Sequence, residues 1–347
     1  MEKINEKLTV VIYGIGGIGA TLGGWLTQNY DKVYLLARGD NAKALKSNGL
    51  ILKNIVSDNI ETIKVNVIED LNEIPNVDVV VITVKNYDLE EVAMDISDKL
   101  GDSPTVVGLQ NGFENQKVLP KYFTKIVYAV VVQSGWSEEP GKFGTRGKGH
   151  LTLGTPENQN LEITEKIAKI LNLGISTMTT QEFQDAAHSK LIINLSNATF
   201  TLISSELKDD DAIFKLWNIF MNVYIEGVEV VKAAGYKEYR LKGLPSWDVM
   251  ALGRNLDKNT AINNFGRNLK YSWFNSMAQD MIHRKKNQSE LDSLTGYLIN
   301  LADSLEIKIP YNRMIYKLSK EQFKKVPYQP LPVEVVWEKI IDELNRK

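Results

Sequence analysis

Leu8-Thr9-Val10-Val11-Ile12-Tyr13-Gly14-Ile15-Gly16-Gly17-Ile18-Gly19 opens a stretch that continues as a helical run to about Asn29 and closes on Val33-Tyr34-Leu35-Leu36. A β-branched run, glycines at the first, third and sixth places, an apolar helix and a second apolar run make a βαβ unit of the kind that binds a dinucleotide. Gly14 allows the tight turn, Gly16 the approach of a pyrophosphate to the backbone, and Gly19 close packing of helix on strand. Gly17, Ile15 and Ile18 complete the cradle, and the pyrophosphate sits on the helix N-terminus, where unpaired N–H groups and the helix dipole favour an anion.

A chain that binds NAD usually places Asp or Glu about 20 residues after the glycines, on the ribose 2′-hydroxyl. Here Ala37-Arg38-Gly39 stands at that place. A carboxylate repels a 2′-phosphate, whereas a guanidinium pairs with it through two parallel hydrogen bonds, so Arg38 favours NADP over NAD. The alternative is that Arg38 is a surface arginine and Asp40 holds the ribose.

Outward from this unit, 347 residues are enough for two domains with separate cores. A formal net charge of -2 points to no nucleic-acid or membrane surface. With no cysteine, the chain has no disulfide, thiol nucleophile or cysteine-ligated metal, and the composition fits the cytoplasm. His150, His188 and His283 are too scattered for a metal site, and each reads as structural or solvated. Met1 to Lys7 is polar and leaves no room for a signal peptide, and no apolar run approaches the length of a membrane helix.

Taken in order, Asn41 to Asn48 is helical, and Leu50-Ile51-Leu52 and Thr62 to Val67 are β-rich. Val77 to Val84 is an apolar run expected of a strand buried on both faces of a parallel sheet, and Lys85 follows at its carboxyl end, where such sheets bind ligands. The strand Thr105 to Leu109 ends in Gln110-Asn111-Gly112, either a plain tight turn or a ligand contact by Asn111. Ile126 to Ser134 and His150 to Leu153 read as strands flanking a glycine-rich loop with a turn at Glu139-Pro140-Gly141. The region 162–173 reads as a helix and Ile175 to Met178 as the last strand. From Gln181 the pattern turns helical, so the expected boundary is near 180: an α/β Rossmann domain over 1–180, then an all-helical domain over 181–347.

In that second part Lys190, Asn194, Asn197 and Thr201 recur at i, i+4, i+7 and i+11, one polar stripe on an otherwise largely apolar helix. A solvent face would carry more Glu, Lys and Arg; one lysine followed by amides and a hydroxyl suits an enclosed polar cleft. Leu216 to Ala234 is a long amphipathic helix ended by Gly235, and His283 to Asn287 is a basic stretch. Ser289 with Asp292 forms a capping box, in which Glu290 is a first-turn acid complementing the helix dipole. Pro327 to Pro332 is a strap, followed by an amphipathic helix from Val333 to Leu344.

Together these motifs resemble the ketopantoate reductase, or 2-dehydropantoate 2-reductase, family from the glycine motif to about Ser319. The matching residues are Gly14 to Gly19, Arg38-Gly39, Val84-Lys85, Asn111-Gly112, Glu139-Pro140-Gly141, Lys190 with Asn194, Ser276-Met277 with Gln279-Asp280, and Glu290-Leu291-Asp292. The resemblance implies a Rossmann domain holding NADPH, a helical domain covering it, and a 2-oxo acid in the cleft between. Lys190 would then be the general acid that protonates the keto oxygen as hydride reaches the carbon. Glu290 would hold the substrate hydroxyl or the lysine. Asn194 and Asn197 would bind the substrate, Ser276 its carboxylate, and Lys85 and Asn111 would line the site beside the nicotinamide. Burial of Lys190 would bring its pKa from ~10.4 toward the working pH, and a neighbouring carboxylate would push it back up.

The chain departs from the family pattern near this pocket. About two extra residues separate Ser276 from Glu290, Lys286-Asn287-Gln288-Ser289 replaces Gly-Arg-x-Thr, Asn197 stands one place early with Ala198 in its stead, and Trp273 occupies the place of a substrate-binding asparagine. Three functions follow: reduction of ketopantoate to (R)-pantoate for coenzyme A synthesis, reduction of another 2-oxo acid by a D-2-hydroxy-acid dehydrogenase of the same superfamily, or non-catalytic sensing of NADP(H). Both Lys190 and Glu290 speak against the sensor. The partner is a small-molecule 2-oxo acid; the apolar helices and the tail are compatible with a homodimer.

Overall fold

The computed structural model describes residues 7–158, 161–266, 269, 273, 275–283 and 288–345. The N-terminal stretch before Lys7 and the basic stretch Arg284 to Asn287 lie outside the described residues, as does the side chain of His283. The chain forms two compact units, one ending at Gln184 and one from Asp185 onward.

Among the described residues, twelve strands belong to the first unit: β1 Val10–Tyr13, β2 Val33–Leu36, β3 Leu50–Asn54, β4 Asn59–Ile63, β5 Asn66–Ile68, β6 Val79–Ile82, β7 Thr105–Gly108, β8 Ile126–Val132, β9 Gly135–Glu139, β10 Lys142–Thr145, β11 His150–Gly154 and β12 Ser176–Thr179. Eight form one sheet in the order β12-β11-β8-β7-β6-β1-β2-β5; β4-β3-β10-β9 form a second. In the large sheet only the β11–β8 pairing is antiparallel. Its central strands, Val-Val-Ile-Tyr in β1 and Val-Val-Val-Ile in β6, are buried at every position, as expected where both faces are covered.

Helix α1 (Gly17–Thr27) is buried along most of its length and joins Val10, Ile12, Leu35 and Leu45 in one core through Leu22, Trp25 and Leu26. Helices α2 (Gly39–Asn48), α3 (Leu89–Leu100), α4 (Glu114–Val118) and α5 (Leu161–Leu171) follow the strands. Two readings of the sequence are corrected here. The β-rich run from Thr62 to Val67 is broken at Lys64-Val65, because β4 and β5 serve different sheets. The expected glycine-rich loop after Ser134 is a hairpin, β9 and β10, turning at Gly141. With Trp136 and Phe143 as the only large apolar side chains from Trp136 to Thr145, the period-two signal was too weak to read.

The second unit is helical: α6 Phe183–Leu202, α7 Asp210–Ala233, α8 Trp247–Arg254, α9 Lys258–Gly266, α10 Tyr297–Ser304, α11 Pro310–Gln322 and α12 Val333–Asn345. Helix α7 starts earlier than its apolar pattern suggests, because Asp209 caps it by accepting from the Ala212 N–H at 2.8 Å. Phe200, Trp217, Phe220, Tyr224, Phe265 and Trp273 pack ring to ring at centroid distances of 4.4–6.2 Å. The Ser289-Glu290-Leu291-Asp292 stretch leads into a helix that runs without a break to Ser304, as a π-helical segment Asp292–Gly296 continued by α10. The capping box is not formed. Ser289 Oγ accepts only weakly, from the Leu291 N–H at 3.4 Å, and the Asp292 carboxylate turns away to the Tyr316 hydroxyl and Lys320.

Candidate active site

In the first unit the chain order of the sheet changes direction at β1, which pairs with β2 on one side and β6 on the other. Ligands bind open α/β sheets outside the carboxyl ends of the strands at such a switch point. There the glycine loop leaves β1, Arg38 follows β2, Lys85 follows β6 and Asn111 follows β7. Gly14 has φ of +100°, a conformation that L side chains resist. A Cβ on Gly19 would strike the Gly14 carbonyl and Thr83 Oγ1, and one on Gly17 would strike the backbone of Gly135. Gly135 was not singled out from the sequence; the paired Gly16-Gly17 was the available signal.

These residues fit a dinucleotide. Gly16 is the N-cap of α1 and contributes no side-chain cap, and the first turn holds no acid, which leaves the helix start to an anion. The Arg38 side chain is 57% exposed, with Nη2 2.7 Å from the Tyr13 hydroxyl and 3.3 Å from Asp95 Oδ2. Tyr13 in turn donates to Asp95 at 2.6 Å, and Lys99 ion-pairs with the other Asp95 oxygen at 2.8 Å. Burial works against the Asp95 charge, but the hydrogen bonds from Lys99 and Tyr13 and the two nearby cations outweigh it and hold its carboxyl below the usual range. Asp40 stays exposed with Lys43 as its ion-pair partner.

Lys85 and Asn111 are brought to one place: Asn86 Nδ2 donates to the Asn111 carbonyl at 2.7 Å, joining the loops after β6 and β7. Gln110, which sequence reasoning passed over, is buried and donates through Nε2 to the carbonyls of Ile82 and Val84 at 2.9 and 3.1 Å. It fixes the two strand ends that carry those residues.

In the second unit, the α6 stripe is enclosed. Asn194 and Thr201 are buried, and Lys190 and Asn197 are partly buried. Desolvation pushes the Lys190 pKa down from 10.5 to about 8. Among the described residues nothing is hydrogen-bonded or ion-paired to its ammonium, so burial wins over any neighbouring carboxylate. Glu290 is 3% exposed, which is not the surface position of a first-turn helix acid. Ser276 opens a short helical segment, Ser276–Ala278, capped by Asn275 Oδ1, which accepts from the N–H groups of Met277 and Ala278 at 3.0 Å. His188, earlier on the same helix, is buried, stacked on Tyr236 at 3.5 Å and bonded to the Tyr297 hydroxyl at 2.9 Å, in keeping with a structural reading.

Residues 10–158 match the family model of ketopantoate reductase PanE/ApbA, and residues 182–323 match its C-terminal counterpart. The chain belongs to the ketopantoate reductase family. A 2-dehydropantoate 2-reductase of Archaeoglobus fulgidus is 24% identical over 313 residues, covering 89% of this chain and 96% of its own. One from Streptococcus pyogenes serotype M3 is 23% identical over 316 residues, with 90% and 96% covered. The crystal structure of a PanE/ApbA family ketopantoate reductase from Ralstonia eutropha JMP134 superposes with a TM-score of 0.68 at 25% identity, over 96% of this chain and 99% of that one. D-mandelate dehydrogenase, solved with NADH and anilino(oxo)acetate, shares the fold with a TM-score of 0.69 at 18% identity and the same coverage. Among the described residues of this ketopantoate reductase family member, no helix is long and apolar enough to cross a membrane, and no group of acids and histidines could hold a metal ion.

Proposed function

We propose that this chain is an NADPH-dependent 2-dehydropantoate 2-reductase, and that Lys190 is its proton donor. The observation that supports the reading is the place of Lys190: a partly buried lysine with no hydrogen-bond or ion-pair partner among the described residues, on a helix face otherwise made of amides and a hydroxyl, where desolvation lowers its pKa. Bound NADPH supplies hydride to the keto carbon. As that carbon–oxygen double bond becomes an alkoxide, the Lys190 ammonium stabilises the charge and gives up its proton to the oxygen. A pKa near 8 keeps the lysine protonated at neutral pH yet lowers the cost of releasing the proton. Asn194 and Asn197 orient the substrate, Ser276 takes its carboxylate, and Glu290 holds the substrate hydroxyl or the lysine. The glycine loop and α1 start hold the pyrophosphate, Arg38 takes the 2′-phosphate, and Lys85 and Asn111 flank the nicotinamide.

The likeness to D-mandelate dehydrogenase and the presence of Trp273 favour a second reading, in which the same chemistry serves another 2-oxo acid. Trp273 argues less for it than its position suggests, because its Nε1–H is bonded to the Ile203 carbonyl at 2.9 Å and its ring stands edge-on to Phe200. The test is NADPH oxidation with ketopantoate beside phenylglyoxylate and 2-oxoisovalerate, repeated with NADH. Preference for ketopantoate with NADPH is the expected result; faster turnover of another acid keeps the mechanism and replaces the substrate. No turnover despite cofactor binding would leave a sensor.

A further inference from the structure

The strap after α11 lies beyond residue 323, where the match to the family's C-terminal region ends, yet it is bonded to the helix that carries Lys190. An α-helix leaves its last carbonyls without intrahelical partners. At the end of α6 three consecutive carbonyls receive donors from elsewhere: Thr201 from the Tyr328 hydroxyl, Leu202 from the Leu331 N–H at 2.8 Å, and Ile203 from Trp273 Nε1 at 2.9 Å. Leu331 also accepts from the Ser204 N–H at 2.8 Å, so strap and helix end form a parallel bridge. The strap is anchored in turn to α11, where Gln322 Nε2 donates to the Gln329 carbonyl and Phe323 meets the Tyr328 ring edge-on at 5.6 Å.

The same helix end touches the segment that carries Ser276. The Thr201 hydroxyl lies 2.7 Å from the Asn197 carbonyl and 3.2 Å from Asn275 Oδ1, the oxygen that caps Ser276–Ala278. One short path therefore runs from Tyr328 through Thr201 to both Asn197 and the Ser276 cap. We infer that the C-terminal strap is a positioning element for the substrate face: Tyr328, through Thr201 and Asn275, fixes where Asn197 and Ser276 stand. Lys190, three turns earlier on α6, is outside its reach. The inference rests on the reading of Asn197 and Ser276 as substrate contacts, and it assigns to residues beyond the family-model match a part in substrate affinity rather than in chemistry.

Tyr328→Phe in the full-length chain removes one hydroxyl and keeps the ring. The expected result is a KM for ketopantoate raised about tenfold, with kcat and the NADPH Kd, measured by nucleotide fluorescence, within about twofold, since loss of binding shared by ground and transition states raises KM and leaves kcat unchanged. Amide hydrogen exchange of the free protein should quicken at the end of α6 and over 276–278 and stay unchanged around Lys190. A control variant, Val230→Ala in α7, lowers stability without touching the path. An equal KM rise in the control, or unchanged exchange over 276–278 in Tyr328→Phe, would overturn the inference. If the wild-type chain reduces no 2-oxo acid, the functional reading falls separately, and the exchange result still decides whether the strap orders this face.

Discussion

In the helical unit, desolvation shifts both Lys190 on α6 and Glu226 on α7 against their charge, but for opposite ends. Glu226 is 7% exposed and its carboxylate accepts from the Tyr311 and Asn312 N–H groups and from Asn312 Nδ2, each at 2.9 Å. Those bonds satisfy the free start of α11, and burial still prevails, pushing the carboxyl up to about 7. Lys190 is only partly buried, yet desolvation lowers its pKa and no partner among the described residues compensates. A buried charge saturated by backbone donors holds structure together; one left without donors or acceptors is costly to keep and suits a reacting group.

The largest effects should separate the two. Lys190→Met is expected to lower kcat about 10²-fold or more, the scale of general acid catalysis, while leaving NADPH affinity unchanged and the melting temperature at pH 7 unchanged or higher. A variant that melts early and keeps its turnover per folded molecule would reverse the assignment. Glu226→Ala should do the opposite: a loss of about 3 kcal/mol in chemical unfolding, from buried donors left unpaired, with turnover per folded molecule retained.

The two groups also predict opposite pH dependences of stability. The folded-state pKa of Glu226 lies above its unfolded value of 4.5, so the folded protein binds the extra proton between 4.5 and about 7; its stabilising contribution is complete below 4.5 and lost as pH rises through 7. The folded-state pKa of Lys190 lies below 10.5, so the unfolded chain binds the extra proton between about 8 and 10.5, and stability rises with pH across that window. Glu226→Gln should flatten the first slope and Lys190→Met the second, as read by unfolding at a series of pH values. Reduction itself should be level below pH 8 and decline above it, as the proton donor is lost.

What the sequence disclosed follows the same division. The β1–α1–β2 unit and the stripe on α6 were legible because each is a local pattern, a glycine spacing in one case and a helical period in the other. The partners of these residues were not. Nothing local ties Tyr13 and Asp95 to Arg38, or Gln110 to the ends of β6 and β7, because each pair meets only when strands far apart in the chain become neighbours. Glu290 misled in the other direction: Ser289-Glu290-Leu291-Asp292 satisfies the spacing of a helix cap, but Tyr316 and Lys320, distant in sequence, compete for Asp292 and win. Tertiary partners override a local preference worth only about 1 kcal/mol.

Arg38 differs from both Lys190 and Glu226: its side chain is exposed enough to meet a ligand and already held by its neighbours. If it takes the 2′-phosphate, Arg38→Ala should weaken NADPH binding about 10- to 100-fold, the loss of two charge-assisted hydrogen bonds, and leave NADH binding unchanged. Equal weakening of both nucleotides would return it to the status of a surface arginine. Tyr13→Phe asks the smaller question of what the anchoring is worth. An exposed ion pair such as Arg38–Asp95 contributes about 0–1 kcal/mol alone. The Tyr13 hydroxyl, however, bonds both partners, and burial raises its own pKa well above the ordinary tyrosine value, so it remains a neutral donor across the working range. Its removal frees the guanidinium without removing its charge. The expected outcome is a fall of about threefold in the NADPH to NADH affinity ratio, carried by NADPH alone. An unchanged ratio would mean that Arg38 needs no positioning, and that charge by itself selects the cofactor.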